Sequence, residues 1–247
     1  MSAKWTRPAR VFAQTGSRVG TPPVTLRFLP MAPVTFHLPV WFDLGATFAF
    51  AITGALAGMQ RRYDIVGVFF LALASSIGGA LLRDGVFIQT GRPTPLLTDD
   101  RYIQVITLAT LLGALVGGHV KRFRRTIAVI DAVGLGAYAV FGTQKSLTAG
   151  LAVPAALLVG VVNAAGGGLL RDLITREEPL VFKPGQFYVL TALAGGVVFV
   201  FLTAWVGVPA TRAALIAIAI TFVFRMLSIL FNWRTAPFGE ADTPPTP

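Results

Sequence analysis

The chain has 247 residues, of which 54% are hydrophobic and only 13% are charged. A soluble domain carries roughly 25% charged residues, so this composition indicates an integral membrane protein. The absence of cysteine excludes disulfides and thiolate chemistry. The net charge of +10 does not indicate nucleic-acid binding, because nearly all Lys and Arg residues flank apolar spans, as membrane topology requires.

Both ends of the chain have the composition of disordered tails. Residues 1–37 hold five basic residues and no acidic one, and they contain no apolar run of the roughly 7–15 residues of a signal peptide. We expect a basic, disordered tail, or a start site assigned too far upstream, with Met31 as the initiator. Residues 235–247 are polar and Pro-rich, which predicts a second disordered tail.

Seven apolar spans lie between these tails, each near the roughly 20 residues that a bilayer requires. They are predicted to be helices, because an open sheet cannot satisfy its backbone in lipid and the period-2 alternation of a barrel strand is absent. The predicted fold class is therefore all-α and integral membrane. The spans are Leu38–Met59, Ile65–Ile88, Tyr102–Val120, Ile127–Gly142, Leu147–Ile174, Phe187–Val208 and Ala213–Trp233.

Basic residues in the short loops predict the orientation in the membrane. The side richer in Lys and Arg is expected to be cytoplasmic, which places the C-terminus inside and the N-terminus of the core outside the cell membrane. The basic tail argues the opposite way, and we give the loops more weight. The richer side holds Arg61, Arg62, Lys121, Arg122, Arg124, Arg125, Arg176, Lys183 and Arg234, and the other side holds Arg92, Arg101, Lys145 and Arg212.

An internal repeat relates two parts of the chain. Without gaps, residues 43–84 and 131–172 are identical at ten of 42 positions, and the aligned residues lie 88 positions apart. The shared block is GGALLRD in the first copy and GGGLLRD in the second. Because each copy contains three spans, an odd number, the second copy enters the membrane from the opposite face, which makes an inverted repeat.

The repeat predicts the organisation of the core. Residues 38–123 form the first three-helix repeat, residues 124–208 form the second, and residues 209–234 form a seventh helix without a counterpart.

The glycines of the shared block have two interpretations. They are Gly78 and Gly79 in span two and Gly166–Gly168 in span five. Small residues allow close packing of membrane helices, whereas consecutive glycines also suit a kink that frees carbonyls towards a water-filled path. In the second interpretation, Ser75 and Asn163 line that path one turn earlier, and Gly167→Leu lowers flux by filling the kink without unfolding the protein.

Two Arg-Asp pairs follow the glycines inside the apolar spans, Arg83-Asp84 and Arg171-Asp172. A charge at the bilayer centre costs roughly 2.5–3.5 kcal/mol, so each charge needs a partner or water. Adjacent helical residues point about 100° apart, so we expect each Arg to find its partner elsewhere and not in the Asp beside it.

The depth of each charge in the membrane suggests those partners. Asp43 begins span one on the side where Arg83 ends span two, and Asp131 begins span four on the side where Arg171 ends span five. We predict the ion pairs Asp43–Arg83 and Asp131–Arg171. Arg225, in span seven, is expected to reach the layer of Asp131 or Asp172.

One further basic residue and the absence of reactive groups complete the prediction. Lys145 is placed in the link between spans four and five, where it is either a cationic gate or an interfacial anchor. No enzyme site, metal cluster or cofactor is expected, because the chain has no thiol, only two histidines and no Walker A motif.

The doubled Gly-Gly-x-x-x-Arg-Asp block, the REEPLVF that follows its second copy and the Arg of the last span resemble the prokaryotic trimeric intracellular cation channels. Bacterial members of that family are also labelled glycine-transporter-domain proteins. The resemblance implies a homotrimer with a pore in each protomer, between kinked helices two and five, that conducts monovalent cations, chiefly K⁺. Lys145 resembles the family's basic pore residue, and Ala80 departs from the motif because it replaces the third glycine of the first copy.

Two other functions stay open at this point. A secondary transporter for a small zwitterion such as glycine also combines inverted repeats with broken helices and a split Arg/Asp site. A structural or lipid-binding protein would use Lys121, Arg122, Arg124 and Arg125 on anionic lipid.

Overall fold

A computed structural model describes residues 38–89, 91, 93–118, 123–183 and 187–233. The predicted tails, Met31 and four of the predicted loop cations (Arg92, Lys121, Arg122 and Arg234) lie outside these residues. The described part of the chain is all-helical, as the hydropathy pattern predicts. Its seven long helices are α1 Trp41–Gln60, α2 Ile65–Leu81, α3 Asp100–Gly117, α4 Phe123–Thr148, α5 Val153–Ile174, α6 Tyr188–Ala204 and α7 Ala210–Leu230.

Five of the helices are long and apolar enough to cross a membrane, namely α1, α2 with its continuation to Ile88, α4, α5 and α7. The apolar helix α6 has 17 residues. Helix α3 has 18 residues and begins with Asp100 and Arg101. The chain is therefore a multi-pass membrane protein.

Two segments between α2 and α3 interrupt the regular pattern. Residues Leu82–Ile88 continue α2 as a π-helix, and a short helix, Pro95–Thr98, precedes α3. The π-helix ends where Gln89 adopts a left-handed conformation, with φ of 47°, and its backbone N–H donates to the Asp84 carbonyl at 3.0 Å. The wider turn of a π-helix often occurs at functional sites.

The ends of several helices follow from local sequence signals. The Asp64 side chain caps α2 by accepting a hydrogen bond of 2.8 Å from the Gly67 backbone N–H, and Asp99 caps α3 by accepting from the Arg101 backbone N–H at 3.1 Å. Such caps satisfy amide groups that a helix start leaves unpaired. Pro154 lies in the first turn of α5, where its missing N–H costs nothing.

The fourth predicted span is corrected by the structure. Sequence hydropathy placed Ile127–Gly142 in a short span and Lys145 in a loop, but α4 continues to Thr148 and α5 begins only at Val153. Sequence hydropathy predicts a loop at residues 143–146 because the mean hydropathy of this polar stretch is low. In the structure the side chains of Thr143, Gln144 and Ser146 are buried inside the bundle, so packing and not lipid contact stabilises this part of the helix.

Helices α1 and α4 occupy the centre of the bundle. Helix α1 packs against α2, α3 and α4, and α4 packs against α1, α5, α6 and α7. Small residues dominate the contacts of α1 with α2 and α3, where Ala51, Ala55, Ala72 and Ala109 are fully buried. Small side chains let membrane helices approach closely, and here they bring α2 against α5 beside the central pair.

Candidate pore networks

Helices α2 and α5 cross at the glycines of the repeated block. A Cβ atom added at Gly79 would overlap the Asn163 carbonyl oxygen, and one added at Gly167 would overlap the Ser75 carbonyl oxygen. A Cβ at Gly166 would lie 2.8 Å from the Gly79 Cα. The glycines thus allow direct contact between the two backbones, as in close helix packing. Both stretches stay α-helical, and a bend of either helix axis at the glycines stays a prediction.

The contacts around the crossing are reciprocal under the 88-residue offset. Gly54 packs on Ser75 of the same half, and its counterpart Gly142 packs on Asn163. The offset also relates Phe50 and Tyr138, whose rings stack against each other with centroids 5.3 Å apart. Positions that correspond in sequence therefore make corresponding contacts in the bundle.

Arg83 is the centre of the first charged cluster, which we call the outer network. It is fully buried. Its Nη1 atom lies 3.8 Å from Asp43 Oδ1 and donates to Asn163 Oδ1 at 3.3 Å. The predicted Asp43–Arg83 ion pair is therefore present, and Arg83 also connects the first half of the chain to the second.

One expectation about this network is wrong. Adjacent residues were expected to avoid each other, yet Arg83 Nε and Nη2 donate to the two carboxylate oxygens of Asp84, each at 2.8 Å. The expectation considered only the directions of the Cα–Cβ bonds, and the long Arg side chain reaches the carboxylate beside it. Lys145 Nζ then donates to Asp84 Oδ2 at 2.9 Å, so the predicted basic pore residue is an ion-pair partner that projects from α4.

Two tyrosines belong to the outer network and were not singled out in the sequence. The Tyr102 hydroxyl donates to Asp43 Oδ2 at 2.5 Å, and the Tyr138 hydroxyl donates to the Ser76 carbonyl at 2.6 Å. Tyr102 is the third residue of α3, and Tyr188 is the first residue of α6, at the corresponding end of the second half. A tyrosine near the start of the third span of each repeat was the available signal.

The second charged cluster, which we call the inner network, contains the other predicted ion pair. Arg171 Nη1 donates to Asp131 Oδ1 at 3.1 Å, and Arg171 Nε donates to Asp172 Oδ1 at 3.0 Å. The adjacent Arg and Asp pair here as well, again against the expectation. All three side chains are buried, and burial of ions in a bundle requires such pairing.

Arg225 lies next to the inner network. Its guanidinium carbon is 4.9 Å from the centre of the Tyr188 ring, a cation–π contact, and its Nη1 lies 3.4 Å from Ser228 Oγ. Arg225 lines the same cavity as Asp131 and Asp172, so it reaches the predicted layer.

A large cavity, the inner vestibule, adjoins the inner network. Its volume is about 770 Å³, and its lining combines the buried Asp131, Arg171 and Asp172 with exposed residues at helix ends, Arg61 and Glu178 among them. Arg61 Nη2 donates to Glu177 Oε1 at 2.7 Å, and both residues line the vestibule. The vestibule thus opens at the side that is richer in loop cations.

The outer network adjoins a small void, with a volume of about 20 Å³. That volume holds about one water molecule. Asp43, Arg83 and Tyr102 line the void. Phe50, which stacks on Tyr138, also lies next to Gly167 at the glycine crossing. The vestibule beside the inner network is therefore much larger than the void beside the outer network.

Two predicted path residues do not line either cavity. Ser75 is buried against Gly54 and Gly167. The Asn163 amide donates to the Tyr138 carbonyl at 2.7 Å and its carbonyl accepts from Arg83. A pore-lining role for Ser75 and Asn163 stays a prediction.

Comparison with known proteins places this geometry in a family. The family model described as "Glycine transporter" matches residues 40–117 and again residues 128–204. The chain is 36% identical over 157 residues to a UPF0126 membrane protein of Deinococcus radiodurans, covering 63% of this chain and 72% of the relative. It is 27% identical to the inner membrane protein YadS of Escherichia coli, covering 82% of this chain and 97% of YadS. It is 31% identical to the membrane protein YvgT of Bacillus subtilis, covering 75% and 89%.

Solved structures show the same fold. The trimeric intracellular cation (TRIC) channel orthologue from Rhodobacter sphaeroides matches with a TM-score of 0.73 and 28% identity, covering 78% of this chain and 97% of that one. A chain solved in a study of conductance through TRIC cation channels matches with a TM-score of 0.68 and 27% identity, covering 84% and 100%. The family model covers more than half of the length of this chain. The chain therefore belongs to the glycine-transporter-domain family, whose solved members include the prokaryotic TRIC channels.

Proposed function

We propose that the chain is a monovalent cation channel of the inner membrane, permeable to K⁺, with one path inside each protomer between α2 and α5. The inner vestibule carries this proposal. It extends from exposed helix ends to the buried Asp131, Arg171 and Asp172, directly below the α2–α5 crossing. A cavity lined by charged residues deep in a membrane bundle is typical of an ion pathway, and the solved relatives are cation channels.

The paired charges suit conduction better than tight binding. Each carboxylate of the two networks has an Arg partner, so the field that a cation meets is modest. Conduction requires that an ion enter a site favourably and also leave it. On the outer side of the proposed path, Lys145 bonds to Asp84 at 2.9 Å and is the proposed gate.

Reconstitution in liposomes tests the function. A K⁺ gradient is expected to drive K⁺ flux through the purified chain, measured with a K⁺-sensitive dye inside the vesicles. Vesicles without protein are the control for leak. Absence of K⁺ flux at every imposed voltage would contradict the proposal.

A second candidate function is a transporter for a small zwitterion such as glycine. One observation favours it: a large vestibule reaches the buried charges from the inner side, as in one state of an alternating-access cycle. Asp172 and Arg225 line the same cavity and offer partners for an amine and a carboxylate. Saturable uptake of labelled glycine without K⁺ conductance would favour this function over the channel.

We further propose that the chain assembles as a homotrimer, because the solved relative is named as trimeric. Helix α3 presents exposed apolar side chains, including Leu111 and Leu115, that suit either lipid or a neighbouring subunit. Native mass spectrometry from detergent is expected to show three chains per particle, and a monomer at every protein concentration would contradict the assembly.

Anionic lipid is the proposed surface partner. Arg124 and Arg125 are exposed at the rim of the vestibule, where juxtamembrane cations attract acidic headgroups. Tighter binding to vesicles that contain phosphatidylglycerol, lost in the double variant Arg124→Gln and Arg125→Gln, is the expected outcome.

A further inference from the structure

The corresponding ion pairs of the two networks differ in their separation. In the inner network, Arg171 Nη1 donates directly to Asp131 Oδ1 at 3.1 Å. In the outer network, Arg83 Nη1 lies 3.8 Å from Asp43 Oδ1, which is too long for a hydrogen bond. A separation above about 3.5 Å is one that a water molecule can bridge.

The Oδ1 atom of Asp43 needs a donor that the protein does not supply. The Asp43 side chain is 2% exposed, and among the described residues no group donates a hydrogen bond to Oδ1. The other carboxylate oxygen, Oδ2, accepts from the Tyr102 hydroxyl. A buried polar atom left without a hydrogen bond is costly, so a bound donor at Oδ1 would stabilise the network.

Arg83 offers a free donor at the same place. A guanidinium Nη atom carries two N–H groups, and Nη1 of Arg83 donates to Asn163 Oδ1 at 3.3 Å. Its second N–H makes no hydrogen bond within the described part of the chain, since Nε and Nη2 are the atoms that donate to Asp84. The side chain is fully buried, so this N–H also needs a partner.

A void of suitable size lies beside both groups. Its volume is about 20 Å³, and Asp43 and Arg83 line it together with the hydroxyl-bearing Thr47 and Tyr138. One water molecule requires roughly 10–15 Å³ of such volume and two to four polar partners. The void meets both requirements.

We propose that one water molecule binds in this void and bridges the ion pair, accepting from Arg83 Nη1 and donating to Asp43 Oδ1. Water suits the site better than a cation, because Arg83 and Lys145 already balance the charges of Asp43 and Asp84. A further positive charge beside Nη1 would also be repelled. This structural ligand goes beyond the proposed function and does not depend on ion conduction.

A high-resolution crystal structure of the full chain tests the site. We expect one peak of water density at about 2.7–3.2 Å from both Arg83 Nη1 and Asp43 Oδ1. Asp43→Glu extends the carboxylate by one methylene, so we expect it to bond to Arg83 directly, with loss of the water. The control Asp131→Glu makes the same extension in the inner network and is expected to leave the outer water in place. A thermal melt of each variant checks that it is folded.

Three results would overturn the site. They are an unmodified chain without the peak, a peak that persists in Asp43→Glu, and an anomalous signal at the peak in crystals soaked in Tl⁺, which would identify a cation. The unmodified chain decides the first and the third, so the test stands even if a variant does not fold.

The liposome assay separates this inference from the proposed function. K⁺ flux without the bound water keeps the channel and rejects the site. The bound water without K⁺ flux keeps the site and rejects the channel.

Discussion

Arg83 shows at the scale of single residues how this bundle tolerates charge. Its guanidinium is fully buried and satisfied by Asp84 through two hydrogen bonds of 2.8 Å, by Asn163, and by the more distant Asp43. The ring of Phe141 lies 5.3 Å away. Breaking a buried ion pair by removing one partner costs more than the pair contributes, because the other partner stays buried with its charge.

We therefore expect Arg83→Met to lower the free energy of unfolding by about 3–5 kcal/mol, because Asp84 loses two hydrogen bonds from Arg83 and Asp43 loses its ion pair with Arg83. Thermal unfolding in detergent measures the change. Arg101→Met is the matched control, since Arg101 is exposed on the surface, where its hydrogen bonds lower the pKa of Asp99. The control is expected to have the same melting temperature as the unmodified chain. Equal melting temperatures of Arg83→Met and Arg101→Met would show that the buried ion pairs of Arg83 do not stabilise the fold.

At the scale of helices, the decisive feature is the contact of α2 with α5. The sequence allows two interpretations of the repeated glycines, namely close helix packing and a kink. The reciprocal overlaps of Gly79 with the Asn163 carbonyl and of Gly167 with the Ser75 carbonyl favour close packing. The sequence predicts that Gly167→Leu lowers flux in a folded protein, but the structure leaves no space for a leucine side chain at this position.

Gly167→Ala is accordingly expected to destabilise the fold by about 1–3 kcal/mol, because a Cβ forces the two backbones apart. Gly45→Ala is the control, since a Cβ at Gly45 meets nothing within 4 Å and alanine favours a helix over glycine. Thermal unfolding of the two variants in the same detergent makes the comparison. A Gly167→Ala protein as stable as Gly45→Ala would mean that the crossing is looser than the structure shows.

At the scale of the whole molecule, the cavities beside the two networks differ greatly in size. The vestibule reaches the inner network, whereas the outer network adjoins a void of about 20 Å³. The 88-residue correspondence would by itself suggest equal halves. The two halves differ, however, at corresponding positions of these sites. Lys145 corresponds to Ala57, and Asn163 corresponds to Ser75.

Orientation in the membrane is predicted from the loop charges and is testable because the chain has no cysteine. Thr98→Cys and Glu178→Cys introduce single thiols at exposed positions on opposite sides. A membrane-impermeant maleimide added to intact cells is expected to label Thr98→Cys, and to label Glu178→Cys only after permeabilisation. The reverse pattern would place the vestibule outside and overturn the positive-inside prediction.

The sequence alone determined the membrane class, the seven helices, the family and two of the buried ion pairs, Asp43–Arg83 and Asp131–Arg171. These follow from hydropathy, from identity within the repeat and from the high cost of an unpaired charge in lipid, all of which can be evaluated along the chain. Only the tertiary structure decided that Lys145 belongs to α4 and bonds to Asp84, and that Tyr102 bonds to Asp43. It also decided that the glycines pack backbone on backbone and that the cavity lies on one side. Those features depend on which surfaces of distant helices meet, and the polar residues that form them have no hydropathy signal of their own.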